Sequence, residues 1–451
     1  MVGKAILSIC LIAGAASTTL AQRGVDDGSI FGRGKDSVDC LLNVSLANKY
    51  VRQKEYRKAY LPWKEAITSC PKSQITLYND GVKILHALLL DKADSLRHPM
   101  YLQELCDLYD KNILYKDELN RQMLHNPIQE PAIRAIKAYD YFHYAGNNLD
   151  LHHAHSLVRE AVNQSEQIPP YLLEIWMQLD LLMYQGDHSC DTLFVNDYAK
   201  ALASCLRSIR RASRQEVSQW ESCRKAIGLS FKRSGLNTYE SISHWYNSLW
   251  PEVRGADDTQ FQLLCILKEL GMDNKPLYAE ALARGSNSTN TDILLECARA
   301  FYKQGNANKG LTCYKKALAT NRDSSRVSDI AYEIATICLR NQNLLEAKNY
   351  IKRSIEANRH NGMAYVLQAQ IYAAAPYWSD DSIMNRCTYF LVIDKLQQAK
   401  LMDSNVKEEA NRLISQYVQR TPTASELHFL KIKKGDIVKI GGWIDESVTI
   451  K

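Results

Sequence analysis

Small and large side chains alternate at matching positions in two successive stretches between Asp292 and Asn358. The positions of the first stretch recur 37 residues further along the chain, and in the two stretches they are Ala298, Phe301, Gly305, Gly310, Tyr314 and Ala317, then Ala335, Cys338, Gln342, Ala347, Ile351 and Ser354. The apolar residues of each stretch have helical spacing on two segments, which predicts two successive antiparallel helix pairs. Repeats of this length build an all-α solenoid, because each unit buries its apolar face only against its neighbours.

Helical periodicity also covers most of the rest of the chain. A first helix pair is predicted over residues 39–69, and a further helix begins near Gln74. Other helices are predicted over residues 100–115, 132–144, 151–164, 170–184, 196–210, 215–233, 238–250, 257–270, 276–284, 363–375 and 384–402. We therefore predict one helical array, with degenerate repeats over residues 39–286 and clearer ones over residues 287–420.

The last segment, residues 421–451, changes from helical to alternating periodicity. Residues 437–440 and 443–450 predict two short strands, joined at Gly441 and Gly442 in a β-hairpin. An isolated hairpin is barely stable in water, so it either caps the last helix pair or offers an edge strand to a partner. An insertion at residues 376–381, which contains Tyr377 and Trp378, leaves a similar choice between packing over the end of the array and a contact site.

The N-terminus is typical of an export signal. Lys4 precedes an apolar run over residues 5–16, and small residues follow up to Ala21, so residues 1–21 predict a secretory signal peptide cleaved after Ala21. Residues 22–38 are rich in glycine and charge and predict a flexible leader. We therefore expect a periplasmic, secreted or outer-envelope protein without a transmembrane segment, and the net charge of only +6 gives no reason to expect nucleic acid as a partner.

Export changes the meaning of the twelve cysteines, because disulfides persist in oxidising compartments. In an antiparallel helix pair the start of one helix lies beside the end of the other. Cys40 would then lie near Cys70, and Cys297 near Cys313, which makes both pairs possible disulfides. The alternative is that these cysteines fill the small apolar positions that tight helix packing requires.

The spacing of the repeat resembles that of the tetratricopeptide family, whose unit is a pair of antiparallel helices about 34 residues long. The clearest match to the family's order of large, small and aromatic positions, ended by a proline, is Leu46, Ala47, Tyr50, Ala59, Trp63, Ala66 and Pro71. The ending around Gly441, Gly442, Trp443 and Ile444 looks like that of exported tetratricopeptide-repeat proteins of Bacteroidota. This resemblance implies a periplasmic or outer-envelope scaffold that binds other proteins.

The resemblance also implies which residues face a partner. In this family the first helix of each pair lines a groove, at the residue after the small packing position and again four residues later. These positions are Asn48 and Arg52, then Arg299 and Lys303, then Thr336 and Arg340, with Tyr302 and Tyr332 between them. The second position is basic in all three pairs. A row of cations suits an extended acidic peptide, although solvated helix residues would show the same pattern.

Motifs for catalysis are missing from the sequence. No nucleophile elbow, phosphate-binding loop, dinucleotide-binding glycine pattern or zinc-protease motif occurs. His152 and His155 share a helix face and could both reach a metal ion, but no third ligand is identifiable, so we predict no metal, cofactor or catalytic site. The prediction is a non-catalytic scaffold for envelope assembly, secretion or uptake, associated with the envelope at most peripherally. The alternative is a glycan-binding module or an envelope enzyme built on the same helices.

Overall fold

The computed structural model describes residues 30–122, 127–165 and 168–451. The predicted signal peptide and residues 22–29 of the predicted leader lie outside these residues. The described chain forms two compact units, the first ending at Trp245 and the second beginning at Tyr246.

The first unit is built from helices that pack as successive antiparallel neighbours. They are α1 (Lys35–Arg52), α2 (Tyr56–Ser69), α3 (Ile75–Leu89), α4 (His98–Leu114), α5 (Lys116–Asn120), α6 (Glu130–Tyr144), α7 (Leu151–Gln164), α8 (Pro170–Gly186), α9 (Asp191–Arg211), α10 (Arg214–Ser234) and α11 (Tyr239–Ser248). The closest packing joins α1 to α2, α6 to α7, and α10 to both α8 and α9. Helix α1 begins at Lys35, so the predicted leader, residues 22–38, extends four residues too far.

The second unit continues with helices and ends in two strands. Its elements are α12 (Pro251–Gly255), α13 (Asp257–Glu269), α14 (Pro276–Gly285), α15 (Thr291–Lys303), α16 (Ala307–Thr320), α17 (Ser324–Arg340), α18 (Leu344–Ala357), α19 (Gly362–Ala374), α20 (Ser382–Arg386), α21 (Thr388–Met402), α22 (Lys407–Val418), α23 (Ala424–Phe429), β1 (Ile437–Ile440) and β2 (Glu446–Thr449). The unit begins well before the predicted division at residue 287, because α13 and α14 pack against α15. Among the described residues, no helix is long and apolar enough to cross a membrane.

The same turn closes three of the helix pairs. One residue adopts a left-handed backbone conformation, and the next residue donates its N–H to a carbonyl five residues earlier, which ends the first helix. The left-handed residues are Lys54, Gly305 and Gln342, with φ of 59°, 80° and 60°. The hydrogen bonds run from Glu55 N to Tyr50 O, from Asn306 N to Phe301 O and from Asn343 N to Cys338 O, at 2.8–2.9 Å. The repeat found in the sequence is therefore also a repeat of backbone geometry.

The first helix pair is fastened by a tryptophan and by a disulfide. Trp63 is 2% exposed, and its Nε1 donates to Leu77 O at 2.9 Å. A side chain at Gly81 would come within 2.5 Å of the same nitrogen, so the packing requires glycine there. Cys40 and Cys70 form the disulfide that the antiparallel geometry predicts.

The second predicted disulfide is absent, since Cys297 and Cys313 are both free thiols. The Sγ of Cys297 lies 3.8 Å from Leu282 O on α14. A Cβ placed at Gly285 would lie 2.7 Å from this sulfur. Cys297 therefore packs towards the preceding helix, and burial raises its pKa to about 12. Cys297 therefore fills a small apolar position in the helix packing, which is the alternative to a disulfide that the sequence left open.

The C-terminal strands form the predicted antiparallel hairpin, with Val438 opposite Val448. The second strand begins at Glu446, later than predicted, because Trp443 and Ile444 belong to the connection. The insertion contributes to the packing of this connection, since Trp378 lies against Gly441 and Gly442, whereas Tyr377 is 77% exposed. Buried side chains alternate along the strands, and β2 packs against α21, as the cap alternative predicts.

Candidate functional site

Helices α15 and α17 carry most of the predicted groove residues. Arg299 on α15 pairs with Glu333 on α17, Nη2 to Oε1 at 2.6 Å, and Arg326 on α17 pairs with Asp292 on α15. Both pairs span 34 residues. Two contacts with the same separation place the helices side by side and parallel, as the first helices of neighbouring repeats must lie.

Most charges of this surface hold the helices to one another. Besides Glu333, Arg299 faces Glu296 at 3.6 Å, and Lys268 on α13 reaches the same carboxylate at 2.9 Å. Glu296 is only 3% exposed. Arg299 is therefore a cross-helix fastener, and it is not a free cation for a ligand.

Lys303 and Arg340 are the accessible cations of the predicted set in the second unit. Lys303 has a side chain that is 74% exposed, and its Nζ lies 2.8 Å from Asp273 Oδ2. Arg340 is exposed, and within the described parts of the chain it forms no ion pair. Arg340 has no acidic neighbour on α19, the first helix of the following pair, because α19 carries no charged residue. Both cations lie at the C-terminal ends of their helices, where positive charge also favours the helix dipole.

The other predicted groove residues are less accessible or lie in the first unit. Tyr302, Tyr332 and Thr336 are half-buried, and the Thr336 hydroxyl donates to Tyr332 O at 2.9 Å. In the first unit Asn48 is half-buried, while Arg52 is exposed and has no ion-pair partner among the residues described.

A groove of about 730 Å³ lies in the first unit between α4, α6 and α7. Tyr141 and Tyr144 line it together with polar residues such as His98, Asn147 and His153. The Cys106 thiol also faces this space, but burial raises its pKa to about 11. That thiol is therefore protonated at neutral pH and is a poor nucleophile.

Three ionisable side chains meet in the core of the first unit, at a place that sequence reasoning missed. His155 on α7 has Nε2 2.8 Å from Asp180 Oδ1 on α8 and 3.2 Å from Asp197 Oδ2 on α9. The three residues, which we call the His155 cluster, are 5%, 2% and 0% exposed. Their potential ligand atoms all lie within 4.8 Å of one another.

Burial and pairing shift the titration of this cluster. Burial alone would lower the pKa of His155, but its hydrogen bonds to Asp180 and Asp197 outweigh this effect and raise the pKa to about 9. Burial raises the pKa of Asp180 to about 7, despite the opposing effect of His155. Buried carboxylates with so little compensation are expensive to retain and are common at functional sites.

The predicted helix face of His152 and His155 is wrong in one respect. His152 is exposed at the start of α7, whereas His155 points into the core. A signal was present, because Asp180 and Asp197 interrupt the apolar faces of α8 and α9. Only the packing of three helices could show that these carboxylates meet His155.

Comparisons with known proteins add little to this geometry. No model of a known protein family matches the chain, and no curated protein matches it either. Among solved structures, yeast Tom70 is 13% identical over 87% of this chain and 98% of its own, with a TM-score of 0.29. The complex of the TPR2AB domain of yeast Sti1 with pHSP90 is 14% identical over 64% of this chain and 97% of its own, with a TM-score of 0.24. The APC/C heterotetramer Cut9–Hcn1 is 12% identical over 84% of this chain and 83% of its own, with a TM-score of 0.27.

Scores this low carry no argument about a groove or a partner. The assignment of an all-α array of antiparallel helix pairs with a short β-hairpin rests on the elements described above.

Proposed function

We propose that this chain is a scaffold that binds other proteins through the first helices of its repeats. The observation that carries the proposal is the pair of accessible cations, Lys303 and Arg340, at equivalent positions of two parallel helices. An exposed ion pair such as Lys303 with Asp273 contributes little, so a ligand carboxylate can compete for the lysine. Arg340 presents its whole guanidinium, which binds carboxylates in a two-pronged geometry.

The partner we propose is an extended peptide segment that carries carboxylates. The cations lie one repeat apart on neighbouring helices, and half-buried Tyr302 and Tyr332 offer apolar contacts nearby. Because Arg299 is already paired with Glu333, the predicted row of cations is shorter than the sequence indicates. We therefore expect modest affinity that falls as salt concentration rises.

A charge-reversal experiment tests this binding. Fluorescent ten-residue peptides rich in Asp and Glu, and matched peptides with Asn and Gln, are titrated with the full chain at several salt concentrations. K303E/R340E should weaken binding of the acidic peptides by about tenfold or more, the size of two charge-assisted contacts. The control R322E/R353E makes the same charge change at exposed positions outside α15 and α17. Equal loss in both variants, or no salt dependence, would contradict the proposal.

Export to the envelope is the second part of the proposal, and the Cys40–Cys70 disulfide supports it because such bonds persist in oxidising compartments. A tagged chain expressed in a Gram-negative host should appear in the periplasm, with Gln22 as its first residue. A version without residues 2–21 should stay in the cytoplasm. Retention of residues 1–21 on the mature chain would contradict cleavage after Ala21.

The groove of the first unit favours a second candidate, the binding of a glycan. Tyrosine rings beside polar side chains are what sugars stack upon and bond to. Y141A should then abolish retention on immobilised glycans while leaving acidic-peptide binding unchanged. Retention of the variant equal to that of the wild type would remove this candidate.

A further inference from the structure

The His155 cluster has too few hydrogen-bond donors for its carboxylate oxygens. Asp197 accepts from Asn196 Nδ2 at 3.0 Å and from Trp176 Nε1 at 3.2 Å. Asp180 Oδ1 has only His155, and no protein donor among the described residues reaches Asp180 Oδ2, although this atom is fully buried. An unsatisfied buried carboxylate oxygen is rare in native proteins and needs an explanation.

The single proton on His155 Nε2 cannot serve as hydrogen-bond donor to both carboxylates at once. Nε2 carries at most one hydrogen, yet it lies within 3.2 Å of oxygens from both aspartates. Arg159 is the nearest other cation, but its Nε is 3.8 Å from Asp197 Oδ2 and its side chain is 39% exposed. Asp180 therefore has no hydrogen-bond donor besides His155 Nε2 among the described residues, and Arg159 is too distant to serve it.

A buried aspartate paired with a half-buried histidine in the same unit shows how such a carboxylate is satisfied. Asp140, 3% exposed, faces His86 Nε2 at 2.7 Å and accepts from the Tyr109 hydroxyl at 2.5 Å. Only one carboxylate is present there, and two side chains serve it. The His155 cluster differs because it has a second carboxylate, Asp180, which has no donor besides His155 among the described residues.

We propose that the His155 cluster binds one divalent transition-metal ion, through His155 Nε2 and one oxygen each from Asp180 and Asp197. Metal–ligand bonds of about 2.1 Å at angles of about 90–110° place ligand atoms about 3.0–3.4 Å apart. The spacings of 2.8 and 3.2 Å around Nε2 are close to that range. One nitrogen and two carboxylate oxygens suit Zn²⁺, Fe²⁺ or Mn²⁺, and the two positive charges of the ion balance both aspartates.

The role of this metal is structural, because its ligands come from three consecutive helices and are buried. It fastens α7, α8 and α9 to one another. Trp176 Nε1 lies 3.2 Å from Asp197 Oδ2 and 3.3 Å from His155 Nε2, so in the metal-bound site its N–H serves the Asp197 carboxylate alone. Free Asp180 Oδ2 gives the ion a further possible ligand. Since the site is closed, metal enters as the chain folds, and binding energy becomes folding energy.

The test is refolding of the full chain with Zn²⁺ or Co²⁺, followed by removal of excess ion and metal analysis. We expect about one ion per chain, visible absorption bands from bound Co²⁺, and a lower unfolding temperature after refolding with a chelator. D180N removes a ligand and should weaken binding by more than about 100-fold, which is the most that loss of an outer-shell partner costs. H152A, which alters an exposed histidine of the same helix, should bind as the wild type does.

Less than a tenth of an ion per chain in a wild type with native helical circular dichroism would overturn the proposal. Binding by D180N as tight as that of the wild type would also overturn it. If D180N does not fold, the Co²⁺ spectrum of the wild type decides, and missing bands would leave the cluster as a histidine-bridged ion pair.

Discussion

The first helix pair and the C-terminal hairpin are secured by different chemistry. Helices α1 and α2 are joined by the covalent bond between Cys40 and Cys70. The hairpin is held through Glu446, which accepts from Lys352 Nζ at 2.8 Å, from Lys395 Nζ at 2.9 Å and from the Tyr372 hydroxyl at 2.5 Å. A reductant should therefore destabilise the first helix pair, whereas acid should destabilise the hairpin.

The comparison extends to how a buried carboxylate survives. Burial raises the pKa of both Asp180 and Glu446, but three donors reverse the effect at Glu446 and lower its pKa to about 2. Asp180, with one partner, keeps a raised pKa. Glu446 is also the less deeply buried of the two, with a side chain that is 17% exposed against 1% for Asp180, so donors and partial exposure together keep it charged.

The largest effect is expected from removing the disulfide. C40A/C70A should lower the free energy of unfolding of the first unit by about 3–4 kcal/mol, because the bond closes a loop between residues 30 apart in sequence. Chemical denaturation followed by fluorescence measures the loss, which should be the same at pH 5 and pH 8. A reductant should reproduce it in the wild type and change nothing in the variant.

The second largest effect is the loss of stability that acid should cause in the second unit by protonating Glu446 of the hairpin. The pKa of Glu446 in the folded chain, about 2, lies below the ordinary value of 4.5. The unfolded chain then binds more protons between these values, so the contribution is complete above about pH 4.5 and is lost as pH falls towards 2. A fall in pKa of this size corresponds to about 3 kcal/mol. E446Q should remove that pH dependence from the second unit and leave the first unit unchanged.

Sequence reasoning predicted the elements at both ends better than their connections. Helical spacing predicted α1 and α2, and their antiparallel arrangement predicted Cys40 beside Cys70, because that contact is local to one repeat. Alternation predicted the hairpin for the same reason. The partners of Glu446 could not be predicted, since Lys352 and Tyr372 are 94 and 74 residues away in sequence, on α18 and α19.

The candidate sites followed the same rule. The register that the resemblance implies named residues of α15 and α17, which lie side by side in the structure, but it did not show that Glu333 pairs with Arg299. That these residues face a partner stays a prediction. A search for acidic residues 34 positions from each basic residue would have found this pair. No comparable spacing exists for the His155 cluster, whose members come from three helices with different lengths and connections.

A third prediction separates the ionic contacts of the hairpin from its backbone contacts. Lys348 is 9% exposed, and its Nζ donates to Trp443 O at 3.0 Å and Ile444 O at 2.6 Å. K348M keeps the length of the side chain but leaves two carbonyls without this donor, so the second unit should lose about 1–3 kcal/mol. Hydrogen exchange of the amides in β1 and β2 should speed up. Unchanged exchange there would mean that the Lys348 hydrogen bonds do not hold the hairpin.

The smallest effect is expected at the exposed pair of Lys303 and Asp273. K303M removes an ion pair whose lysine is 74% exposed, so the free energy of unfolding should change by less than about 0.5 kcal/mol, and less still at high salt. A loss like that of E446Q would mean that Lys303 is a fastener as Arg299 is, and that it is unavailable to a ligand. A small change, measured by the same denaturation, would instead show that Lys303 can exchange Asp273 for a peptide carboxylate without loosening the helices. Weak binding by K303E/R340E would then report on the surface itself and not on a damaged fold.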